Sequence, residues 1–382
     1  MLMERQFPHA HLPMGTADER ARQDFVQSFK LHLAQDIVPD IQRVYEKSAE
    51  PEFVRRHGRL PRDGAEVQSV MENDHVYRTW ESLYRTAQEM IWTSVIEPIA
   101  RERDAMIEKA RISKPLGSLK LNPDLAVPRY ISAVDIHCMP GGYHSEDIEG
   151  DVAQGALYDR GVHIYGMGGL GPKTDMMGRL VSAYLRDSFP DLKPKRILDL
   201  GCTVGHSLLP YAEMFPGAEL YGIDVGAPVL RYAHARAESM GIAAHFEQMN
   251  AEELDYPDDY FDLVVSHILL HETSNKAVRR VLKESRRVVR PGGIVAHIDM
   301  DGPDSMTPFN SFMMMFDGFK NNEPFWSTFR KMDPKALLTE AGFDGDGLFV
   351  QRVSRAYSGQ AVFQEGKADG GRGYWRLIGG RK

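Results

Sequence analysis

The chain has 382 residues, 42% hydrophobic and 26% charged, which suits a globular protein of two modest domains or one enzyme core with a large appendage. No apolar run approaches the roughly 18 residues that span a bilayer. The opening MLMERQFPHAHLPM carries an acid and two histidines where a secretory signal needs an unbroken apolar stretch, and the only cysteines are Cys138 and Cys202, so the expectation is a cytoplasmic protein with reduced thiols and no multi-cysteine zinc site. A formal net charge of −8 argues against nucleic acid or anionic lipid as a partner and favours a small neutral or basic one.

From about Asp18 to about Ile112 apolar residues return every three or four positions, as in FVQSFKLHLAQDIVPDIQRVYEK and VYRTWESLYRTAQEMIWTSVIEPIARERDAMIEKA, predicting an all-helical N-terminal part broken at GRLPRDG (Gly58 to Gly64). KPLGSLKLNPDLAVPR, Lys114 to Arg129, reads as a linker. RYISAVDIHCMPGGYHSEDIEGD then reads as one short strand and a Gly-rich loop. Beyond about Lys173 short apolar runs alternate with helical segments, the signature of a parallel sheet flanked by helices. MMGRLVSAYLRDSF is a lead-in helix, RILDLG a first strand, LLPYAEMF a helix, ELYGID a second strand, VLRYAHARAESMG a helix ended by Gly241, and HFEQM a third strand. FDLVVSH is a fourth strand, KAVRRVLKESRRVV a helix closed by PGG, GIVAHIDM a fifth strand and PKALLTEAGF a helix. LFVQRVS and GYWRLIGGRK finish the fold as an antiparallel pair at one sheet edge. The expected division is a helical domain over 1–128, a connecting segment over 129–170 and an α/β domain over 171–382.

RILDLGCTVG, Arg196 to Gly205, carries the first chemistry. A chain leaving a buried parallel strand turns sharply before its next helix, and Gly201 and Gly205 let the backbone approach a ligand while a helix N-terminus offers free amides. A plain strand-to-helix turn explains the glycines equally well. Asp224, ending the second strand, is placed to accept both hydroxyl hydrogens of a ribose. The dinucleotide fingerprint G-x-G-x-x-G is absent, since Thr203 stands between Gly201 and Gly205.

The ordered set LDLGCTVG, LYGIDVG, MNAEELDYPDDYFDLVVS and VVRPGG resembles the class I S-adenosylmethionine-dependent methyltransferases over about the C-terminal half of the chain. The resemblance implies a Rossmann-like, seven-stranded, mostly parallel α/β sheet and S-adenosylmethionine as cofactor. By position it places the methionine end at Asp199, Gly201, Cys202, Thr203 and Gly205, the ribose at Asp224 beside Val225, and the adenine at Asn250, Ala251 and Glu252. Ser266 at the end of the fourth strand and Tyr165 in the covering segment complete the implied cofactor set. Two positions depart from the family pattern, which usually has Gly at Thr203 and Asp at Asn250. The methyl acceptor is expected to be a small molecule. The N-terminal helices either complete its pocket, form a homodimer or recognise a carrier.

Several side chains are candidates for the acceptor side. If the segment after the fourth strand is helical, His267 and His271 share a face and one serves as a base, although methyl transfer often needs only in-line positioning. Tyr158, His163, Asn321 and Glu323 are candidate substrate contacts, and PFNSFMMMFDGFKNNEPFWSTF reads as a lid or pocket wall, although Met313 to Met315 and the aromatics beside them have the helical spacing that more often marks ordinary core. His297, Asp299 and Asp301 in HIDMD, and His137, Cys138 and His144, are sparse metal-like sets better explained as caps and loop residues, so no metal is expected. The Asn/Asp-Pro-Pro-aromatic tetrapeptide of amino-methylating nucleic-acid enzymes is missing after the fourth strand. Three alternatives stay open: a protein or RNA methyltransferase docking through the helical part, a non-catalytic S-adenosylmethionine-binding regulator, and a dehydrogenase with an unusual fingerprint.

Overall fold

The computed structural model describes residues 5–354, 363–364 and 374–382. Its strands are β1 (Ser118–Lys120), β2 (Arg196–Leu200), β3 (Glu219–Asp224), β4 (His245–Gln248), β5 (Phe261–His267), β6 (Val289–Met300), β7 (Leu348–Ser354), the two-residue β8 (Phe363–Gln364) and β9 (Tyr374–Arg381). They form one sheet in the order β1-β4-β3-β2-β5-β6-β9-β7-β8. Pairing is parallel from β1 to β6 and antiparallel beyond it. The near-continuous apolar runs of β2 and β5 are buried on both faces, because helices cover the sheet on each side. From β2 the chain goes to β3 on one side and later to β5 on the other. That reversal opens a crevice at the carboxyl ends of β2 and β5.

Four expectations about elements are corrected. The sheet exceeds seven strands among the described residues, since the presumed linker contributes β1 on β4, where a side chain on Gly117 would lie 1.9 Å from the Ala244 carbonyl oxygen. No strand forms at RYISAV; the segment is a helical turn, Arg129–Ser132, followed by a 3-10 turn, Ile136–Cys138. The helix after β2 spans only Pro210–Met214, so the residues behind Gly205 turn before they become helical. PGG does not merely end a helix: the Asn275–Val288 helix runs directly into β6, and the register with β5 slips between Phe261 and Leu263 to accommodate it.

Among the N-terminal helices are Ala17–His32 and the 36-residue His75–Ala110. Thr16 and Glu19 form a capping box on the first, and Asp74 accepts from the Val76 and Tyr77 amides to start the second. Neither forms a separate body. Val26, Ile91, Trp92 and Val95 share a core with Ile136, Ala156, Leu157 and Val204. Phe309, Phe312, Met313 and Phe316 of the expected lid pack into Leu33, Ile41, Met71 and Trp80. Among the described residues no helix is long and apolar enough to cross a membrane.

The Ala153–Tyr165 helix joins the two parts at glycines. A Cβ on Gly155 would lie 2.2 Å from Tyr232 Cβ, and one on Gly161 would lie 2.2 Å from Trp92 Cζ3. Gly161→Ala therefore overpacks this seam. We expect it to lower the unfolding free energy by about 1–3 kcal/mol, read from urea unfolding of the full chain.

Candidate active site

The turn after β2 is built from three left-handed residues: Gly201 at φ +66°, Thr203 at +43° and Gly205 at +75°. At Gly201 the positive φ favours glycine, and a Cβ would also displace the Leu269 side chain, whose Cδ1 it would meet at 2.6 Å. Thr203 adopts a conformation costly for a β-branched residue, and it is fixed by its amide, which donates to Asp224 Oδ2 at 3.1 Å. Asp224 Oδ1 accepts from the Gly226 amide at 2.9 Å. Burial raises the Asp224 carboxyl to about 6 against the opposing pull of these amides. Each oxygen still has a lone pair for a ligand hydroxyl.

Next to Asp224 lies the turn after β4. The Met249 amide donates to the Asp224 carbonyl at 2.9 Å, and Asn250 Oδ1 accepts from the Glu252 amide at 3.0 Å, holding Asn250 and Ala251 toward the crevice. An interior cavity of ≈ 250 Å³ runs from this turn past Asp199, Thr203 and Asp224 to Glu323 and Trp326. Of the sequence-derived cofactor set, Asp199, Gly201, Cys202, Thr203, Asp224, Val225, Asn250, Ala251 and Tyr165 line it. Gly205, Glu252 and Ser266 do not. Gly205 shapes the turn, and Glu252 sits outside, bonded to the Tyr130 hydroxyl at 2.9 Å and Arg280 at 3.3 Å. The Ser266 hydroxyl lies 2.8 Å from His297 Nδ1 in the core. Tyr165 lies far along the wall, its ring 4.1 Å from the Lys30 ammonium and 5.3 Å from the His137 ring. Tyr158 is the tyrosine near the first turn, its ring stacked on His206.

After β5 the backbone is not helical. Ile268 has φ +61°, and a 3-10 turn, Leu270–Glu272, follows, so His267 and His271 do not share a helix face. His267 Nδ1 is 3.0 Å from Asp199 Oδ1 and its Nε2 is 3.1 Å from the Tyr211 hydroxyl. His271 Nδ1 is 2.6 Å from Asp299 Oδ1, while Asp299 Oδ2 accepts from the Leu270 amide at 2.8 Å. The opposite nitrogen, His271 Nε2, makes no hydrogen bond; Glu323 Oε2, also without one, stands 3.5 Å away. Burial pulls the His271 imidazole down, but Asp299 and Glu323 outweigh it and raise the group to about 9.

His137 closes this end. Its backbone is left-handed at φ +56°, and its carbonyl accepts from Gln88 Nε2 and Trp92 Nε1, both at 2.8 Å, from the long N-terminal helix. Its ring lies between Glu272 Oε1 at 3.1 Å and Glu323 Oε1 at 2.9 Å. The Tyr143 hydroxyl donates to Glu272 at 3.0 Å, and Asn321 Nδ2 donates to Glu323 at 2.6 Å. Burial lowers His137, yet the two glutamates prevail and lift it to about 10. Behind Tyr165, Lys30 is fully buried, donates to Gln88 Oε1 at 2.8 Å, and is lowered by burial to about 7.

The structure thus brings together His271, Glu323 and Asn321 from the sequence candidates. His163 is buried on the Ala153–Tyr165 helix and is not part of the cavity wall. The Met313 to Met315 run is not the pocket wall either; its segment supplies Asp317, Glu323 and Trp326, while Phe312 and Met313 face the N-terminal helices. The HIDMD side chains diverge: His297 to Ser266, Asp299 to His271, and Asp301 to Arg352 at 2.5 Å. Sequence reasoning missed Glu272, Asp317, Tyr143 and the role of His137. Only Glu272, adjacent to His271, had a local signal.

One further buried cluster braces the first turn. Asp159 accepts from Gln6 Nε2 at 2.8 Å and the Tyr232 hydroxyl at 2.9 Å, and its oxygens lie 2.8 Å from His9 Nε2 and from Nε2 of the cavity-lining His206. Burial alone would raise its carboxyl, but His206, His9 and Arg236 hold it well below the usual range.

A family model for a methyltransferase domain matches residues 197–293, the stretch from β2 to the PGG of β6. Residues 197–293 are thus a methyltransferase domain, and the C-terminal half is similar to the class I S-adenosylmethionine-dependent methyltransferases. A demethylmenaquinone methyltransferase of Thermus thermophilus is 33% identical over 142 residues, 35% of this chain and 64% of that one. The probable methyltransferase ltbC of Aspergillus luteorubrus is 31% identical over 187 residues, 45% of this chain and 66% of that one. The chain thus spans just under two thirds of these two relatives' own length. Among solved structures, a methyltransferase from Aquifex aeolicus aligns with a TM-score of 0.35 at 20% identity, over 55% of this chain and 94% of that one.

The resemblance to class I methyltransferases implies S-adenosylmethionine as the cofactor. The residues present fit it. A turn built on the positive φ of Gly201, a buried carboxylate with spare lone pairs at Asp224, and the turn at Asn250 and Ala251 would hold its methionine, ribose and adenine parts. Asp224→Ala is expected to weaken S-adenosylhomocysteine binding by about 10–100-fold, the worth of hydrogen bonds to a charged group, measured by calorimetry.

His137 also predicts a pH effect on stability. Its folded-state value is raised, so its pairing stabilises fully below the ordinary histidine value of 6.5 and is lost as pH climbs through about 10. The thermal midpoint should fall between pH 7 and 10, and His137→Gln should flatten that slope.

Proposed function

We propose that the chain transfers the methyl group of S-adenosylmethionine to a heteroatom of a small molecule enclosed between the first turn and the His271–Glu323 wall. One observation carries this reading: His271 Nε2 is buried in the wall, braced from behind by Asp299, with no hydrogen bond of its own on the cavity side. The Asp299 carboxylate fixes the ring orientation and favours the tautomer with the proton on Nδ1, leaving Nε2 as the acceptor nitrogen once the ring is neutral. Enclosure by Tyr143, Tyr158 and Trp326 keeps water from competing for that position. When bound, S-adenosylmethionine supplies an electrophilic methyl carbon.

This chain's own contribution is to bind the acceptor, orient it and take its proton at His271 Nε2. The N-terminal helices support the same site by clamping the His137 carbonyl. An acceptor must fit within the interior, which favours a small molecule over a folded protein or RNA.

The groups facing His271 are Asp299 on β6, Glu323 in the segment before Trp326, and the neighbouring Glu272, with the Trp326 ring edge-on at 5.1 Å. Because its value is raised to about 9, the neutral base grows in as pH rises from 7 toward 9. S-adenosylhomocysteine release, followed with a small-molecule extract as acceptor, should increase over that window. His271→Asn should lower kcat by about 10²–10⁴-fold and remove the rise. An unchanged profile in that variant would show that positioning alone suffices and that His271 is not the base.

A further inference from the structure

Resting on the methyl-transfer reading, we infer that the acceptor presents an amine, held through an N–H bond to Glu323 Oε2. The wall around the acceptor end carries three carboxylates, Glu272, Glu323 and Asp317, against two imidazoles, His137 and His271, and among the described residues no lysine or arginine lines the cavity. An anionic acceptor meets cations there only where they already face a glutamate carboxylate. His137 is bound on both ring nitrogens and His271 on Nδ1.

The unused valences point the same way. Glu323 is 1% exposed, and its Oε1 already receives Asn321 and lies against His137, yet Oε2 has no hydrogen bond. Its ion-pair partner His271 Nε2, at 3.5 Å, leaves this buried oxygen without a hydrogen bond, and a charge-assisted N–H bond is the strongest way to satisfy it. An alcohol offers one donor and no charge; an ammonium offers three donors and a charge. Tyr143, Tyr158, Tyr165 and Trp326 add aromatic surface that favours a cation and an apolar body. The 3.5 Å between Glu323 Oε2 and His271 Nε2 places the nitrogen's two partners side by side: one oxygen to hold it and one nitrogen to receive its proton.

The test uses the full chain and pairs of probes that differ in one group: ethylamine to phenethylamine, each against the corresponding alcohol, with 3-phenylpropionate as the anion. Binding is measured by calorimetry with and without S-adenosylhomocysteine. We expect at least one amine to bind about 10-fold or more tightly than its alcohol, the carboxylate to bind more weakly than either, and Glu323→Gln to bring the amine-to-alcohol affinity ratio close to one. If no pair shows an amine preference, or the carboxylate binds best, or Glu323→Gln keeps the preference, the inference is overturned. The wild-type comparison decides even if the variant does not fold. Loss of S-adenosylhomocysteine binding would instead count against the methyl-transfer reading, and the amine result without it stays separately readable.

Discussion

The buried clamp on His137 holds the site together. Its carbonyl is tied to Gln88 and Trp92 of the N-terminal helix, and its ring is tied to Glu272 behind β5 and to Glu323 in the segment before Trp326. Three stretches of chain distant in sequence therefore meet at one residue whose backbone is itself in a sparsely populated conformation. Removing one partner of a buried ion pair generally costs about 3–5 kcal/mol, because the other charge is left uncompensated. The clamp converts that penalty into a fixed wall geometry. Without it, Glu323 would have neither its orientation nor its distance from His271.

This arrangement changes the role of the helical part. An appended domain would touch the α/β core through a modest, polar interface. Here aromatic and aliphatic side chains from both sides share cores, with Trp92 against Gly161 and Phe312 among the N-terminal residues. Lys30 is buried beside Tyr165 and Tyr84, so the N-terminal half also sets the charge near the acceptor end.

The cofactor half of the site was legible because its signals are local. Apolar runs ending in Gly201 and Asp224, and the turn residues at Asn250, each report their own backbone. Gly241 ends its helix at φ +70°, as its position implied. The acceptor half was not legible, since its geometry depends on distant pairs: Asp299 with His271, Glu323 with His137, and Lys30 with Gln88. β1 escaped notice because three residues in a Pro- and Gly-rich stretch show no periodicity, and its pairing comes from β4. The segment between β6 and the last helix reads as a lid or pocket wall by its position, while the helical spacing of its Met and Phe residues already favours core. Its apolar residues turn to the larger apolar surface offered by Leu33, Ile41 and Trp80.

Asp159 carries a consequence for assembly. Its partners Gln6 and His9 lie 153 and 150 positions before it, and Tyr232 lies 73 positions after it. A ribosome-bound chain that has released only its helical half therefore has a polar early segment with nothing to hold. The brace behind the cofactor turn closes only after the third strand's helix has been synthesised. Contacts this distant slow folding, because the entropy of closing the loop is spent before the contact is made. The turn that receives the cofactor thus lacks its brace until that helix has emerged.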